Sequence, residues 1–156
     1  MIDVMKMVKA RTYMKRNEPF LYSWHAYVGY ELDLFKSFER PMTQFDVADA
    51  LDLDEQLLAQ WVAIGVSIGY LKEVSRNRYQ IKNRWKLPKS KGNNSSGVLL
   101  KEMMELHLPT LLQYPEMMRN RSRLHFDEDE HAGTVAETSR LLEVLAYPKM
   151  AKRLKE

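Results

Sequence analysis

The chain has 156 residues, of which 45% are apolar, and this is enough to build the core of one ordinary domain. Its formal charge of +3 is too small to indicate a nucleic-acid or membrane partner by itself. Cysteine is absent, which excludes disulfides, thiolate metal sites and cysteine nucleophiles. No segment approaches the roughly 20 apolar residues of a membrane-spanning helix, and the N-terminus does not resemble a signal peptide. We therefore expect a cytoplasmic protein without a membrane partner.

Two helices are predicted at the N-terminus, one on each side of a proline. Ile2, Met5 and Val8 have helical spacing, and Pro19 disfavours helical geometry at the residue before it. The second predicted helix has a broad aromatic and apolar stripe that consists of Phe20, Trp24, Tyr27, Val28, Leu32, Phe35 and Phe38. Such a stripe is typical of a core, and its large aromatic side chains also suit burial against a partner subunit.

The next segment has the order helix, turn, helix and hairpin, which is that of a winged helix-turn-helix. Thr43 and Asp54 are predicted to cap the two helices, and Gly69 is predicted to end the second one. Two strands are predicted at residues 70–74 and 79–81, with residues 75–78 at the tip of the wing. The fold class is therefore predicted to be mainly α, with a small β-hairpin wing and flanking helices.

The charge of this helix-turn-helix unit opposes DNA binding. Residues 41–71 include no Lys or Arg, and they contain five acidic residues: Asp46, Asp49, Asp52, Asp54 and Glu55. Neutralising phosphates supplies most of the affinity of DNA-binding proteins, so this unit should be repelled. The cations follow it in the wing and the next segment, where the candidate DNA contacts are Arg76, Arg78, Lys82 and Arg84. We expect a solvated basic loop there and regard nucleic acid as an improbable partner.

A basic and polar stretch, residues 82–97, is predicted to be a linker or long loop. It divides the chain into residues 1–91, with the N-terminal helices and the winged helix, and residues 98–156, a second helical segment. In the second segment, Pro109 interrupts an apolar helix and Pro115 starts a short one. A further helix is predicted at residues 134–146, and Pro148 opens the last helical turns.

No catalytic residue and no metal site are predicted. The cluster of possible metal ligands comprises His125, Asp127, Glu128, Asp129, Glu130 and His131. Local acidic clusters are more often surface loops or helix starts, and a structural zinc site would be unusual without cysteine. His25 and His107 lie in apolar segments, and no carboxylate or nucleophile is spaced to cooperate with them. We interpret both as packed or interface side chains.

The residues around the wing resemble a known family. Leu51-Asp52-Leu53-Asp54, Gly69-Tyr70-Leu71 and Arg78-Tyr79-Gln80-Ile81 are similar to the N-terminal domain of small-molecule O-methyltransferases that use S-adenosylmethionine. The resemblance implies that the winged helix serves dimerisation. It also implies that residues 98–118 intertwine with the partner and roof the substrate pocket of a Rossmann-like catalytic domain. The segment LPTLLQYPEMM, residues 108–118, is similar to the corresponding family segment.

The family's catalytic half has no counterpart in the sequence. A strand followed by a glycine-rich turn receives S-adenosylmethionine in that family, and none of the six glycines here form such a turn. We therefore expect that this chain binds no cofactor and catalyses no methyl transfer alone. It would be an N-terminal piece of a parent enzyme that uses S-adenosylmethionine. The alternatives are a complete DNA-binding regulator, whose length the chain suits, or an interaction module without either ligand.

The predicted function is homodimerisation and formation of a substrate pocket. The proposed interface involves the first two helices and the helices after the linker, and its residues are Phe20, Trp24, Tyr27, Phe35, Leu99, Met103 and Leu111. The resemblance alone implies the pocket-roof residues, which are Met104, Leu108, Met117 and Met118. Methionine adapts to irregular surfaces and suits either role, although ordinary core packing also explains these positions.

Overall fold

The computed structural model describes residues 4–82, 87–88, 95–123 and 128–153. In these ranges the elements are α1 (Val4–Glu31), α2 (Leu34–Ser37), α3 (Gln44–Leu51), α4 (Glu55–Ser67), β1 (Leu71–Ser75), β2 (Arg78–Ile81), α5 (Gly97–Glu102), a π-helical segment (Met103–His107), α6 (Leu108–Asn120) and α7 (Glu128–Arg153). The fold is mainly helical with one small antiparallel sheet, and the predicted winged helix order is confirmed.

Local signals fix both helices of the helix-turn-helix. The Asp46 amide donates to the Thr43 hydroxyl over 3.0 Å, and the Leu57 amide donates to the Asp54 carboxylate over 2.8 Å. Each such cap stabilises its helix by about 1 kcal/mol. Gly69 has a φ of 79°, a left-handed conformation that suits glycine after a helix end. The predicted caps of α3 and α4 and the end of α4 are therefore confirmed.

The wing is joined to the segment that precedes α3. Strands β1 and β2 pair antiparallel, with Leu71 opposite Ile81. Met42 and Tyr79 exchange two backbone hydrogen bonds, of 3.1 and 2.8 Å. The Ile81 amide also donates to the carbonyl of Phe38 over 3.0 Å. These bonds hold the hairpin against the helices.

The hydrophobic core lies where α1, α2, α3, α4 and β1 meet. Its buried members are Leu34, Phe35, Phe38, Val47, Ala48, Leu58, Trp61, Val62 and Leu71. Beyond the wing, α5 packs against both α1 and α7. Gly97 of α5 lies on the ring of Tyr30 so closely that a Cβ atom there would collide with it. The second helical segment therefore contacts the C-terminal half of α1.

The predicted break at Pro19 is wrong, because α1 continues through it to Glu31. Proline removes the hydrogen bond to the carbonyl of Lys15, four residues earlier. Residues 5–20 are exposed, so water can donate to that carbonyl. The actual break comes later, at Asp33, which has a φ of 53° and separates α1 from α2. Phe35 and Phe38 consequently do not share a helix with Phe20 and turn into the core.

The predicted interruptions at three later prolines are also wrong. The chain is helical without a break from Gly97 to Asn120, and α7 begins at Glu128 and continues through Pro148. Pro109 has no amide hydrogen to donate to the carbonyl of Glu105. The π-helical segment just before it has hydrogen bonds between residues five apart instead of four, so the backbone pairing differs from that of an α-helix at this point. At Pro115 and Pro148 the helices are exposed, so water can replace the lost bond.

Gly65 should be required for the packing of α4. A Cβ atom at this position would collide with the Leu71 side chain and lie 2.7 Å from Nε2 of His25. We expect Gly65→Ala to lower the free energy of unfolding by about 1 to 3 kcal/mol, as overpacking does. Gly133→Ala is the matched control, since a Cβ atom there meets nothing within 4 Å and alanine favours the exposed helix α7. Urea unfolding would measure both. Equal stability of the two variants would contradict this account.

Candidate interaction site

A stacked pair of side chains joins α1 to α4. The rings of His25 and Trp61 lie parallel, with centroids 4.1 Å apart, and His25 is fully buried. His25 Nε2 donates to the Trp61 carbonyl over 3.0 Å, and Trp61 Nε1 donates to the His25 carbonyl over 3.1 Å. The prediction that His25 is a packed side chain is confirmed. The pair fixes the position of one helix on the other.

This histidine should make stability depend on pH. Burial lowers the pKa of His25 from 6.5 to about 4, although the hydrogen bond to the Trp61 carbonyl opposes the shift. Between these values the unfolded chain binds more protons than the folded chain, so stability falls as pH drops from 6.5 towards 4. The loss attributable to His25 between pH 7 and pH 4.5 should be about 2 to 3 kcal/mol.

His25→Gln should remove that part of the pH dependence. The test is urea unfolding of both proteins at pH 7 and pH 4.5. The wild-type chain should lose more stability than the variant over this interval, since the other titrating groups are common to both. Identical losses would show that His25 does not titrate as described.

An apolar groove of about 320 Å³ lies beside this pair, between the C-terminal half of α1 and α4. Its lining residues are Trp24, Val28, Leu32, Leu34, Leu53, Asp54, Leu57, Leu58, Gln60, Trp61 and Ile64. Leu57 is 66% exposed and Leu32 is 42% exposed, so the groove opens to solvent. Sequence reasoning missed this groove, since it needs two helices that are distant in sequence. The available signal in the sequence was the spacing of Trp24, Val28 and Leu32, which are four residues apart and therefore lie on one face of α1.

The N-terminal half of α1 forms an exposed arm, residues 5–20. All its residues are exposed, including large apolar side chains such as Tyr13 at 69% and Met14 at 74%. Exposed apolar residues in such number on one helical segment are typical of surfaces that bind another molecule.

A polar cluster connects α1 to the π-helical segment. The Tyr27 hydroxyl donates to Oε1 of Glu105 over 2.8 Å. Lys101 Nζ lies 3.8 Å from Oε1 of Glu31 and 3.9 Å from Oε2 of Glu105. Burial and the neighbouring carboxylates raise the pKa of Tyr27 to about 12. Tyr27 therefore stays protonated and acts as a hydrogen-bond donor at neutral pH.

The predicted interface residues lie on α1, on α2, and on the helix from α5 to α6. Phe20 is 51% exposed, Leu99 38%, Met103 37% and Leu111 62%, while Trp24 and Tyr27 are half-buried. Phe35 is only 5% exposed and belongs to the core of its own chain, where it packs against Trp61. Phe35 therefore has little surface to offer a partner and leaves the candidate interface.

The predicted pocket-roof residues lie together on the π-helical segment and α6. Met104, Leu108 and Met117 are half-buried, and Met118 is 71% exposed. Their neighbours Leu112 and Tyr114, which the sequence analysis did not single out, are 73% and 54% exposed. The segment that includes α6 is thus a second apolar surface open to solvent.

The basic residues of the wing are exposed, and they follow the acidic helix-turn-helix in the sequence. Arg76, Arg78 and Lys82 are exposed, and Arg78 Nη1 donates to the Pro41 carbonyl over 3.3 Å. Arg84 lies outside the described residues. The acidic residues Asp46, Asp49, Asp52, Asp54 and Glu55 are all exposed. The second helix of the helix-turn-helix thus presents carboxylates at its start, where a DNA-reading helix would approach phosphates.

Any DNA binding should be weak and confined to the wing and the basic linker that follows it. We expect dissociation constants of about 1 μM to 0.1 mM at physiological salt, the range of non-specific binding. Arg76→Glu with Arg78→Glu should abolish this binding, whereas Gln56→Ala and Gln60→Ala should leave it unchanged. Fluorescence anisotropy with labelled duplexes would measure it. A nanomolar, sequence-selective complex that depends on Gln56 or Gln60 would favour the DNA-binding regulator instead.

The predicted acidic cluster falls partly outside the described residues. His125 and Asp127 are in the undescribed range, and the residues from Glu128 to His131 begin α7. Among the residues that the structure describes, no group of three or more potential ligands is placed to hold a metal ion. The helices in the same ranges include none long and apolar enough to cross a membrane.

The fold matches solved methyltransferase structures. PigF with SAH has a TM-score of 0.66 and 18% identity, and the match covers 90% of this chain and 45% of that chain. RosA from Streptomyces davawensis, an N,N-8-amino-8-demethyl-D-riboflavin dimethyltransferase, has a TM-score of 0.63 and 16% identity, covering 94% and 48%. Human N-acetylserotonin methyltransferase in complex with SAM has a TM-score of 0.64 and 16% identity, covering 88% and 46%.

These likenesses concern the fold, and they confirm at that level the resemblance predicted from the residues around the wing. The chain spans less than half the length of each of these structures. The sequence matches no protein-family model and no curated protein.

Proposed function

We propose that this chain is the dimerisation and substrate-pocket module of a methyltransferase that uses S-adenosylmethionine. The observation on which the proposal depends most is the fold likeness, which covers about nine-tenths of this chain but under half of each methyltransferase. In the proposal, this part of the enzyme serves assembly and substrate binding, while a separate catalytic domain performs the chemistry.

The described glycines do not suit S-adenosylmethionine binding. Gly29, Gly65 and Gly97 each face a packed side chain of their own chain. Gly69 follows the end of α4, and Gly133 lies within α7. A cofactor cradle requires backbone amides that a ligand can approach closely, and in the described ranges these glycines do not form one. In the proposal, the cofactor therefore belongs to the catalytic domain of the parent enzyme.

The electrostatics of the helix-turn-helix support protein contact over nucleic-acid contact. The exposed carboxylates and the absence of Lys and Arg from residues 41–71 oppose phosphates. The apolar groove, the exposed arm and the surface of α6 are instead suited to association with protein or with an apolar substrate. In the proposed assembly, α1 serves dimerisation and α6 lies over the pocket.

The chain should be a dimer in solution. Light scattering at a protein concentration of roughly tens of micromolar should give twice the chain mass of 18.4 kDa. Phe20→Ser should weaken the dimer by about tenfold or more, since it removes an exposed apolar anchor from α1. Val74→Ser is the matched control, because Val74 is 40% exposed on the wing, outside the proposed interface. A monomeric wild-type chain would contradict the proposed function.

A further inference from the structure

We propose that Tyr27 and Glu105 are positioning residues for the proposed substrate pocket. Their hydrogen bond sets how the π-helical segment is rotated about its axis, and this rotation decides which face of α6 lies over the pocket. The inference rests on the proposed function and names the contact with α1 that orients the pocket roof. It follows from two contacts between helices, from the wide turn of the π-helical segment and from the position of Pro109.

Two contacts join α1 to the helix that begins at α5. The Tyr27 hydroxyl donates to Oε1 of Glu105 over 2.8 Å. One turn further along α1, Oε1 of Glu31 lies 3.8 Å from Nζ of Lys101. On each helix the two residues are four positions apart, so they share one face, and the order of the pairs makes the helices antiparallel. Lys101 also lies 3.9 Å from Oε2 of Glu105, which links both contacts into one network.

This network is partly buried. Its charged side chains are between 26% and 34% exposed. Burial and the neighbouring carboxylates raise the pKa of Tyr27 to about 12, so its hydroxyl is available as a donor at neutral pH. Partly buried charges are screened less by salt than exposed ones. The network therefore differs from the pair of Glu116 and Arg119 on α6, whose side chains are 64% and 74% exposed.

The π-helical segment, Met103–His107, determines the rotation of the helix after it. A π-helix bonds residues five apart, so its turn holds about one residue more than an α-helical turn. One extra residue rotates the following helix by about 100° about its axis. His107 Nε2 lies 3.4 Å from Oε1 of Glu102, and two residues five apart would point about 140° away from each other in an α-helix. The wide turn therefore brings these two side chains to the same side.

Glu105 connects the wide turn to α1. A proline in a helix interior clashes with the carbonyl four residues earlier, and for Pro109 this carbonyl belongs to Glu105, within the wide turn. The side chain of Glu105 is bonded to Tyr27, so the turn is held against α1. Met104 and Leu108, two of the proposed roof residues, lie one position before Glu105 and three after it. A rotation of the turn would carry both of them with it.

The distance between two spin labels on one chain tests the inference. The natural sequence has no cysteine, so labels attach only to introduced thiols. Leu112→Cys places one label on α6 and Val74→Cys places the other on the wing, and both side chains are exposed. An excess of unlabelled wild-type chain restricts the measurement to distances within one copy. Pulsed electron paramagnetic resonance then gives the distribution of the distance between the labels.

Loss of the hydrogen bond should displace α6. Tyr27→Phe removes the donor and Glu105→Ala removes the acceptor. We expect each to shift or broaden the distance distribution, by up to about 8 Å for a rotation of about 100° at a helix radius of about 5 Å. Glu105→Gln should keep the wild-type distribution, because its amide oxygen still accepts from the Tyr27 hydroxyl. The double variant Tyr27→Phe with Glu105→Ala should move the label no further than either change alone, since both remove the same bond.

Glu116→Gln and Tyr147→Phe are the matched controls. They make similar changes at exposed positions of α6 and α7, and both should leave the distribution unchanged. Wild-type distances in Tyr27→Phe and Glu105→Ala would overturn the inference. A displacement by Glu105→Gln as large as that by Glu105→Ala would also overturn it, because it would assign the effect to the charge pair with Lys101. If Glu105→Ala does not fold, Tyr27→Phe and Glu105→Gln decide.

Light scattering on the wild-type chain separates this inference from the proposed function. If the chain is a dimer and the label distances do not respond to Tyr27→Phe, the positioning role fails while the proposed function stands. If the chain is a monomer, the proposed function fails and the role in the pocket fails with it, whatever the label distances are. A dimer whose label distances change in Tyr27→Phe but not in Glu105→Gln supports both.

Discussion

The contact between His25 and Trp61 determines how the rest of the structure is arranged. The imidazole stacks on the indole, and two hydrogen bonds join these residues, which lie on α1 and α4 and are 36 positions apart in sequence. The low pKa of His25 keeps the ring neutral, so no charge is buried beneath the groove. The absence of a side chain at Gly65 lets α4 approach the ring and β1. With α1 held on α4 in this way, Trp24 and Val28 stand beside α4 and the groove forms between them.

The winged helix geometry of this chain is combined with charges that oppose DNA binding. A fold alone does not specify function, and the residues displayed on it decide what it binds. The helix that would read DNA begins with exposed carboxylates, and its neighbour α1 contributes an apolar wall rather than a basic one. Exposed cations lie on the wing and on the N-terminal arm, outside the helix-turn-helix. This distribution opposes contact with phosphates on the helix-turn-helix, and it is consistent with the proposed contact between copies.

The sequence predicts well the features that depend on neighbouring residues. The caps at Thr43 and Asp54, the glycine after α4 and the hairpin all follow from local rules, and the structure confirms them. The predicted helix breaks at the prolines are wrong because the effect of a proline depends on solvent access, and at Pro19 the freed carbonyl is open to water. The apolar spacing places Phe35 in a continuous stripe, because the turn at Asp33 has no strong local signal. The groove could not be predicted from one helix, since its walls come from α1 and α4 together.

In the proposed dimer, association between copies covers the exposed apolar surface of the arm and of the groove. Hydrogen–deuterium exchange, followed by mass spectrometry at protein concentrations above and below dimer dissociation, tests it most directly. The account predicts that residues 5–20 of α1 and residues 53–64 around α4 exchange more slowly at the higher concentration, while the wing at residues 71–81 exchanges equally at both. Exchange of the arm and of α4 that does not change with concentration, while light scattering shows the dimer dissociating over the same range, would contradict it.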